Sequence, residues 1–222
     1  MPDAIDASGL PRPPMAEDGK RWIPRLAEKS SQQREEAAKE LYNLGGWLSH
    51  HVLTAWSDCP EFAALLLRDR IGTISNAVRD TVGIAVLPET FKRIGEANSS
   101  PRLAEVPPDQ DALEFELHFS MHMPEGRGTI KAPVRLDILT TNQPGGDGAI
   151  AKFLSKFGEG IQQVEYEVSD VDRATKILAE RFGQKAIYPA TRPGANGTRV
   201  NFFLAPAEAG KRILIELVEP IK

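Results

Sequence analysis

The sequence predicts an α+β fold in which paired βαβββ modules form one curved, cup-shaped mixed sheet behind an N-terminal helical extension. Three observations support this prediction. The C-terminal third of the chain has the pattern strand, helix, strand, strand, strand. A weaker copy of that pattern covers residues 79–141, where the run 80–86 aligns with 162–168 and Asp137 aligns with Glu216. One module leaves a face of its own sheet uncovered, so the two copies are expected to pack together.

The chain begins with a segment that has no periodicity and then continues into a helical pattern. Residues 1–19 are rich in Pro, Gly and Asp and are predicted to form a flexible arm. Ser30 fits the first position of a helix cap, and an apolar stripe at helical spacing follows as far as Val52. The pair Gly45 and Gly46 is expected to weaken that helix or to divide it, because glycine is a poor helix former.

A second helix is predicted to begin at Pro60 and to extend to Asn76. We therefore assign residues 1–78 to a flexible arm and a helical extension. This extension is expected either to cover the open side of the sheet or to build a homodimer, and the sequence leaves both alternatives open.

The first module, residues 79–141, is the more divergent one. A short β-type run at 81–86 is followed by strict polar and apolar alternation over 114–122 and by a further strand at 134–140. These three segments are predicted to be strands of one sheet.

The second module, residues 142–222, has the clearest pattern. A Gly-rich linker precedes a one-sided helix that Gly158 ends, and a second helix runs from Ser169 to Gly183. Strands are predicted at 163–168, 187–188, 199–204 and 213–218.

Strand periodicity places four polar side chains on the same, concave face of the sheet. Their apolar neighbours in the strands must lie under the helices, so the polar side chains point the other way. The four residues are Thr81, Asp137, Gln163 and Glu216. We expect them to converge on one cavity.

Composition excludes several classes of protein. The chain has 222 residues, 41% of them hydrophobic, which is enough for a substantial core. A net charge of −4 without clustered Lys or Arg argues against nucleic-acid binding, and no apolar run reaches the about 18 residues that cross a membrane. The N-terminus has no secretory signal pattern and Cys59 has no partner for an internal disulfide, so we expect a cytoplasmic protein.

Five segments of the chain match a known family: IAKFL at 150–154, GEGI at 158–161, EVSDV at 167–171, RPGANG at 192–197 and LIELV at 214–218. Through these segments the chain resembles the vicinal oxygen chelate superfamily, which includes glyoxalases and bleomycin-resistance proteins, and within it methylmalonyl-CoA epimerases. The resemblance is good over residues 145–220, weak over 80–141 and absent over 1–78.

The resemblance implies a cup that holds a divalent metal through four side chains, two from each module. The first strand usually supplies His, but here those positions hold Thr81 and Gln163, while the last strands supply Asp137 and Glu216. Oxygen ligands from Asp137, Gln163 and Glu216 would suit Mg²⁺, Mn²⁺ or Ca²⁺ better than Zn²⁺ or Ni²⁺. A site without metal is the alternative, because both imidazoles are missing.

Three residues are candidates for acid or base chemistry. The resemblance implies that Glu216 lies beside the acidic proton of the substrate, and a carboxylate in a closed cup can act as a base with a raised pKa. Glu116 and His118 lie on the polar face of an alternating strand and could supply further acid or base groups. The alternative is an outward-facing, solvated strand surface.

Three residues are candidates for ligand binding. Gln163 and Glu165 share one strand face, which favours a cation or a polar, hydrogen-bonding ligand. Arg192, in a Gly-containing loop, could bind an anionic group such as a carboxylate. The alternatives are an exposed strand face and an ordinary hairpin turn.

These observations lead to a primary functional hypothesis with two competitors. The first is a glyoxalase-fold enzyme, an isomerase or lyase that acts on a carbonyl or carboxylate compound. The second is a metal-free protein that binds or sequesters a small molecule, as bleomycin-resistance relatives do. In the third, the sheets are only a scaffold and the helical extension is an interaction surface.

Overall fold

A computed structural model describes residues 16–71, 74–125, 128–206 and 212–221 of the chain. The helices are α1 (Ser31–Ser57), α2 (Pro60–Ala63), α3 (Pro88–Ala97), α4 (Ala149–Phe157) and α5 (Val171–Phe182), and short 3-10 turns lie at Ala16–Arg21, Ile23–Ala27 and Ala195–Gly197. The strands are β1 (Arg68–Ile71), β2 (Ile74–Val78), β3 (Asp80–Ala85), β4 (Leu113–Glu125), β5 (Gly128–Thr140), β6 (Gly160–Glu167), β7 (Arg192–Pro193), β8 (Arg199–Pro206) and β9 (Arg212–Glu219). None of the described helices is both long and apolar enough to span a membrane.

Two related halves form one mixed sheet with the strand order β4-β5-β3-β6-β9-β8-β7. In each half the first strand pairs in parallel with the last, β3 with β5 and β6 with β9, and the halves join where β3 and β6 pair antiparallel. The two halves have equivalent pairings, Val82 with Leu136 and Val164 with Ile215. The predicted fold class is therefore confirmed. Its first module is shorter in the described residues, with β3, α3, β4 and β5.

The main core lies between the sheet and the helices α1, α3 and α5. Leu41, Leu44 and Leu48 of α1 belong to the same buried cluster as Val82 and Ile215 of the sheet. Alternation along the strands then leaves the opposite face free to line a cavity. The helical extension thus covers the convex face of the sheet.

The helix α1 is continuous, so of the two alternatives predicted for its glycine pair, weakening or division, division is wrong. A β-carbon at Gly45 would lie 2.5 Å from Cγ2 of Val82, whereas a β-carbon at Gly46 would meet nothing within 4 Å. Gly45 therefore allows the helix to approach the sheet closely. Packing against the sheet stabilises the helix despite the low helix propensity of glycine.

The predicted second helix is also wrong beyond its first turn. Helix α2 ends at Ala63, and β1 and β2 form an antiparallel hairpin where a helix was expected up to Asn76. The backbone nitrogen of Leu67 donates to the carbonyl oxygen of Glu167 at 2.9 Å, so this segment continues the pairing of β6. Such a long-range contact overrides the local helical pattern.

Two further differences concern the modules. Residues 187–188 are not a strand: an isolated bridge joins Ala186 to Phe203, and the second strand of the module is β7 instead. The helix of the first module is α3, which begins at Pro88 and buries Phe91 and Ile94. Most of the predicted arm, residues 1–15, lies outside the described residues.

Candidate functional site

The concave face of the sheet brings together side chains that are far apart in the sequence. Across three adjoining strand pairs, Glu116 is the register partner of Asp137, Asp137 of Gly83, and Gly83 of Gln163. In the neighbouring row Glu165 pairs with Glu216, and Glu216 pairs with Phe202. Register partners on one face have neighbouring side chains.

These side chains line a cavity of about 600 Å³, which we name the cup. Apolar residues such as Leu139, Ile150 and Phe202 form part of its wall. Its acidic lining residues are Asp109, Asp111, Glu114, Glu116, Asp137, Asp147, Glu165 and Glu216. The lining of the cup is therefore strongly acidic, and part of its wall is apolar.

Gln163 is the hub of the hydrogen bonds in the cup. Its side-chain nitrogen Nε2 donates to Oε2 of Glu216 at 2.5 Å and to Oε1 of Glu165 at 3.0 Å. A β-carbon at Gly83 would lie 2.5 Å from Cγ of Gln163, so the glycine leaves the space that this side chain occupies. The amide thus holds two carboxyl groups together.

Four buried carboxyl groups of the cup bind protons more tightly than usual. Burial, reinforced by the neighbouring carboxyl groups, raises the pKa of Asp137 and of Glu216 well above the ordinary values. The same causes raise the pKa of Glu165 to about 8 and that of Glu114 to about 7. The hydrogen bond from Gln163 acts in the opposite direction on Glu165 and Glu216, because it favours their charged forms.

Asp137 differs from Glu216 in its partners. It is only 7% exposed, and its oxygen Oδ1 is buried without a hydrogen-bond partner among the described residues. A buried, unpaired carboxyl oxygen is costly, and such groups are often paired with a ligand. Asp137 is therefore the position where the cup has unused hydrogen-bonding capacity.

Arg192 lies at the edge of the cup and is already engaged. Its guanidinium group is paired with Asp109 and lies 4.5 Å from the centre of the Tyr188 ring. Among the described residues that line the cup, it is the only Lys or Arg. The remaining carboxyl groups thus have no basic side chain in the lining to balance them.

Residues 101–112, which we name the strap, close one side of the cup. At one end the nitrogen of Ala104 donates to the carbonyl oxygen of Glu114, at the edge strand β4. Further along, the nitrogen of Asn196 donates to the carbonyl oxygen of Glu105 at 2.9 Å, and the nitrogen of Glu105 donates to Oδ1 of Asn196 at 3.0 Å. The strap therefore links the two far edges of the sheet.

The structure places most of the predicted site residues in the cup. Six of them line it: Glu116, Asp137, Gln163, Glu165, Arg192 and Glu216. Thr81 lies on the concave face beside Glu165 but is not among the residues that line the cavity. His118 does not line it either, because its side chain is 62% exposed and bonds to Glu116 at 2.9 Å.

Sequence reasoning missed several lining residues. Glu114 is two residues before Glu116 in the alternating strand, so the pattern already placed it on the same face. Tyr188 and Phe202, whose ring centroids are 5.9 Å apart, carry no local signal, since their contact depends on the packing of the second module. The strap has no periodicity at all.

The side chains of the cup do not fit the divalent metal that the resemblance implies. The set has no imidazole, and Gln163 directs its amide nitrogen, a donor, toward Glu216 and Glu165. Within the described parts of the chain, no three His, Cys, Asp or Glu side chains are arranged to hold a metal ion.

The paired modules and the cup on the concave face define an α+β fold built on one mixed sheet. No protein-family model and no curated protein matches the chain.

Solved structures of one group of enzymes are similar to this chain. Methylmalonyl-CoA epimerase from Mycobacterium tuberculosis is 31% identical, with 64% of this chain and 87% of that chain covered and a TM-score of 0.46. A variant of the Streptomyces coelicolor methylmalonyl-CoA epimerase in complex with 2-nitronate-propionyl-CoA is 24% identical, with 71% and 99% covered and a TM-score of 0.49. A methylmalonyl-CoA epimerase in complex with methylmalonyl-CoA and NH4+ is 24% identical, with 70% and 94% covered and a TM-score of 0.47.

Proposed function

We propose that the chain is a glyoxalase-fold enzyme, an isomerase or lyase, that moves a proton on a small carbonyl or carboxylate compound. The observation that carries this proposal is Glu216, a buried carboxyl group with a raised pKa that faces a cavity of substrate size. A carboxylate in such surroundings is a stronger base than one in water.

Glu216 and Asp137 differ in their hydrogen-bond partners, and this difference suits them to different roles in the reaction. Gln163 donates a hydrogen bond to Glu216 and so favours its charged form, which a base requires. Asp137 has no such donor at Oδ1 and retains its proton more readily, as an acid requires. Two carboxyl groups in unlike surroundings can thus act as base and acid.

The reaction that follows is a proton transfer next to a carbonyl group. The proton leaves the carbon for an oxygen of Glu216, and the electron pair of the C–H bond forms a C=C bond. The carbonyl oxygen gains the negative charge and is stabilised by the proton of Asp137. Return of a proton to the carbon gives an isomer, whereas departure of a neighbouring group with its electron pair gives the product of a lyase.

A metal-free binding protein is the second candidate function. It is favoured by the hydrogen bonds of Gln163 to both Glu165 and Glu216, since these bonds stabilise the cup without any reacting group. Such a protein would bind a small molecule in the cup and leave it chemically unchanged.

Proton exchange in heavy water tests the proposal against this alternative. Purified protein is incubated with small ketones, keto acids and acyl-CoA thioesters, including methylmalonyl-CoA, and NMR follows the loss of the proton next to the carbonyl group. We expect exchange with at least one compound and a loss of about 100-fold or more in Glu216→Gln. Glu40→Gln, an exposed change on α1, is the control and should retain the full rate.

Either of two results would contradict the proposal. Exchange at the background rate with every compound would favour the binding protein. Equal exchange rates in Glu216→Gln and in the unchanged chain would remove Glu216 from the chemistry.

A further inference from the structure

The cup has an excess of acidic groups that nothing in its described lining offsets. Eight carboxyl groups face one arginine, Arg192, and that arginine is already paired with Asp109 and stacked on Tyr188. Carboxyl groups gathered in a partly enclosed cavity attract positive charge, because the low polarity of the walls strengthens the interaction.

A second observation identifies where a positive group would bind. Asp137 is more than nine-tenths buried, lines the cup and has an unpartnered oxygen, Oδ1, among the described residues. Glu116, its register partner on β4, adds another carboxyl group to the same part of the wall. An N–H donor of a ligand at this point would satisfy Oδ1 and approach a second carboxyl group.

The rest of the wall suits hydrocarbon better than a bare ion. Phe202 is the register partner of Glu216 and forms an edge contact with the Tyr188 ring, 5.9 Å between centroids. Leu139 and Ile150 add apolar surface to another part of the lining, near α4. A cavity of about 600 Å³ with acidic and apolar parts fits an organic molecule that has a charged end.

From these observations we propose that the cup takes an organic cation, a compound with a primary ammonium or guanidinium group, and seats that group on Asp137. This inference deepens the proposed function and rests on it only in placing the substrate in the same cup. The carbonyl compound that reacts at Glu216 would then carry a positively charged group, and its N–H donors would replace the proton of Asp137 in stabilising the negative carbonyl oxygen.

Proton release accompanies such binding. A cation in the cup favours the charged form of Glu165 and lowers its pKa from about 8, so protons pass from the protein to the buffer. Release of protons distinguishes binding in the cup from loose attraction to exposed carboxylates, which are already ionised at neutral pH.

The experiment uses the full chain and a pair of simple probes at constant ionic strength. Diaminopentane is the cationic probe, and pentanediol is its uncharged counterpart of similar length. Thermal unfolding measures stabilisation, and calorimetry in two buffers with different ionisation enthalpies measures affinity and proton release. We expect diaminopentane to raise Tm and release protons, and pentanediol to do neither.

Two variants locate the binding. Asp137→Asn should weaken diaminopentane binding roughly tenfold or more, since it removes the charge that faces the ammonium group. Glu40→Gln removes an exposed carboxylate outside the cup and should leave the affinity within about twofold. Circular dichroism and Tm without probe confirm that both variants are folded.

Three outcomes would overturn the inference: equal effects of the diamine and the diol, unchanged affinity in Asp137→Asn, or stabilisation by Mn²⁺ alone and not by the diamine. Failure of the proposed function has a different signature. Diamine binding without proton exchange on any compound removes the chemistry and retains the cation site. Proton exchange on uncharged carbonyl compounds without diamine binding retains the chemistry and removes the cation site.

Discussion

Glu165 shows how a single residue couples the cup to pH. It accepts a hydrogen bond from Gln163 and is the register partner of Glu216, and its carboxyl group has a pKa of about 8 because of burial and the nearby Glu114 and Glu116. In the unfolded chain the same group has an ordinary pKa near 4.5. Between these two values the folded state binds more protons, so the free energy of unfolding decreases as the pH rises.

Glu165→Gln is expected to remove part of that dependence. Glutamine can still accept a hydrogen bond from Gln163, but it carries no charge at any pH. The variant should therefore be more stable than the unchanged chain at pH 8, by about 2–6 °C in Tm, with the difference shrinking toward pH 5. Thermal unfolding across this pH range measures the difference.

The control for this prediction is Glu40→Gln, which changes an exposed carboxyl group on α1. Its Tm should follow the pH profile of the unchanged chain. The contradicting result is a Tm difference between Glu165→Gln and the unchanged chain that is smaller at pH 8 than at pH 5. It would show that the Glu165 carboxyl group is not held protonated.

The residues of the site were only partly predictable from the sequence. Asp137, Gln163 and Glu216 follow from strand alternation, since their apolar neighbours must face the helices. The bond from Gln163 to Glu216 and the partner-free oxygen of Asp137 depend on side-chain geometry, which no pattern specifies. The outward orientation of the His118 side chain likewise depends on side-chain geometry and not on a sequence pattern.

At the scale of elements, α1 depends on a glycine that the sequence suggested would break it. Gly45 contacts Val82 so closely that any side chain would force the helix away from β3, whereas Gly46 faces open space. The two adjacent glycines therefore have opposite roles. Gly45 allows α1 to pack closely against β3, whereas Gly46 only lowers the helix propensity of its segment.

Gly45→Ala should destabilise the chain by about 1–3 kcal/mol, the usual cost of overfilling a packed interface. Gly46→Ala is the matched substitution one residue away and should be neutral or stabilise by up to about 1 kcal/mol. Urea unfolding of both variants gives the free energies. Equal losses in the two variants would mean that the helix does not approach the sheet as described.

The strap depends on Asn196, whose backbone has a positive φ of 52° and whose side chain accepts from Glu105. Asn196→Gly retains the backbone geometry and loses the acceptor, whereas Asn196→Asp retains both. Amide exchange at Glu105 should become about tenfold faster in the glycine variant and change little in the aspartate variant. Equal exchange rates at Glu105 in the glycine variant and the unchanged chain would show that this bond does not hold the strap.

Elements with strong local patterns were predicted, and those made by distant contacts were not. The strands β3, β6 and β9 and the helix α5 have clear periodicity and lie close to their predicted positions. The hairpin of β1 and β2 replaces a predicted helix because it pairs with the end of β6, and Arg79 of the same segment pairs with Glu167. The strap likewise exists through contacts with Glu114 and Asn196.

At the scale of the whole molecule, two modules joined by β3 and β6 create a concave face that neither could form alone. Asp137 comes from the first module and Glu216 from the second, and the cavity between them is lined by both. The predicted duplication was therefore the most informative part of the sequence. The acidity of the resulting cup underlies both the proposed proton transfer and the proposed cation site.

Titration of the individual carboxyl groups tests this account most directly. Carbon-13 NMR of chain labelled at Asp and Glu carboxyl carbons follows each group with pH, and Glu165→Gln and Glu114→Gln assign their signals. The account predicts midpoints near pH 8 for Glu165 and near pH 7 for Glu114, with the midpoints of Asp137 and Glu216 well above their ordinary values. Ordinary midpoints near pH 4 for all four groups would contradict it.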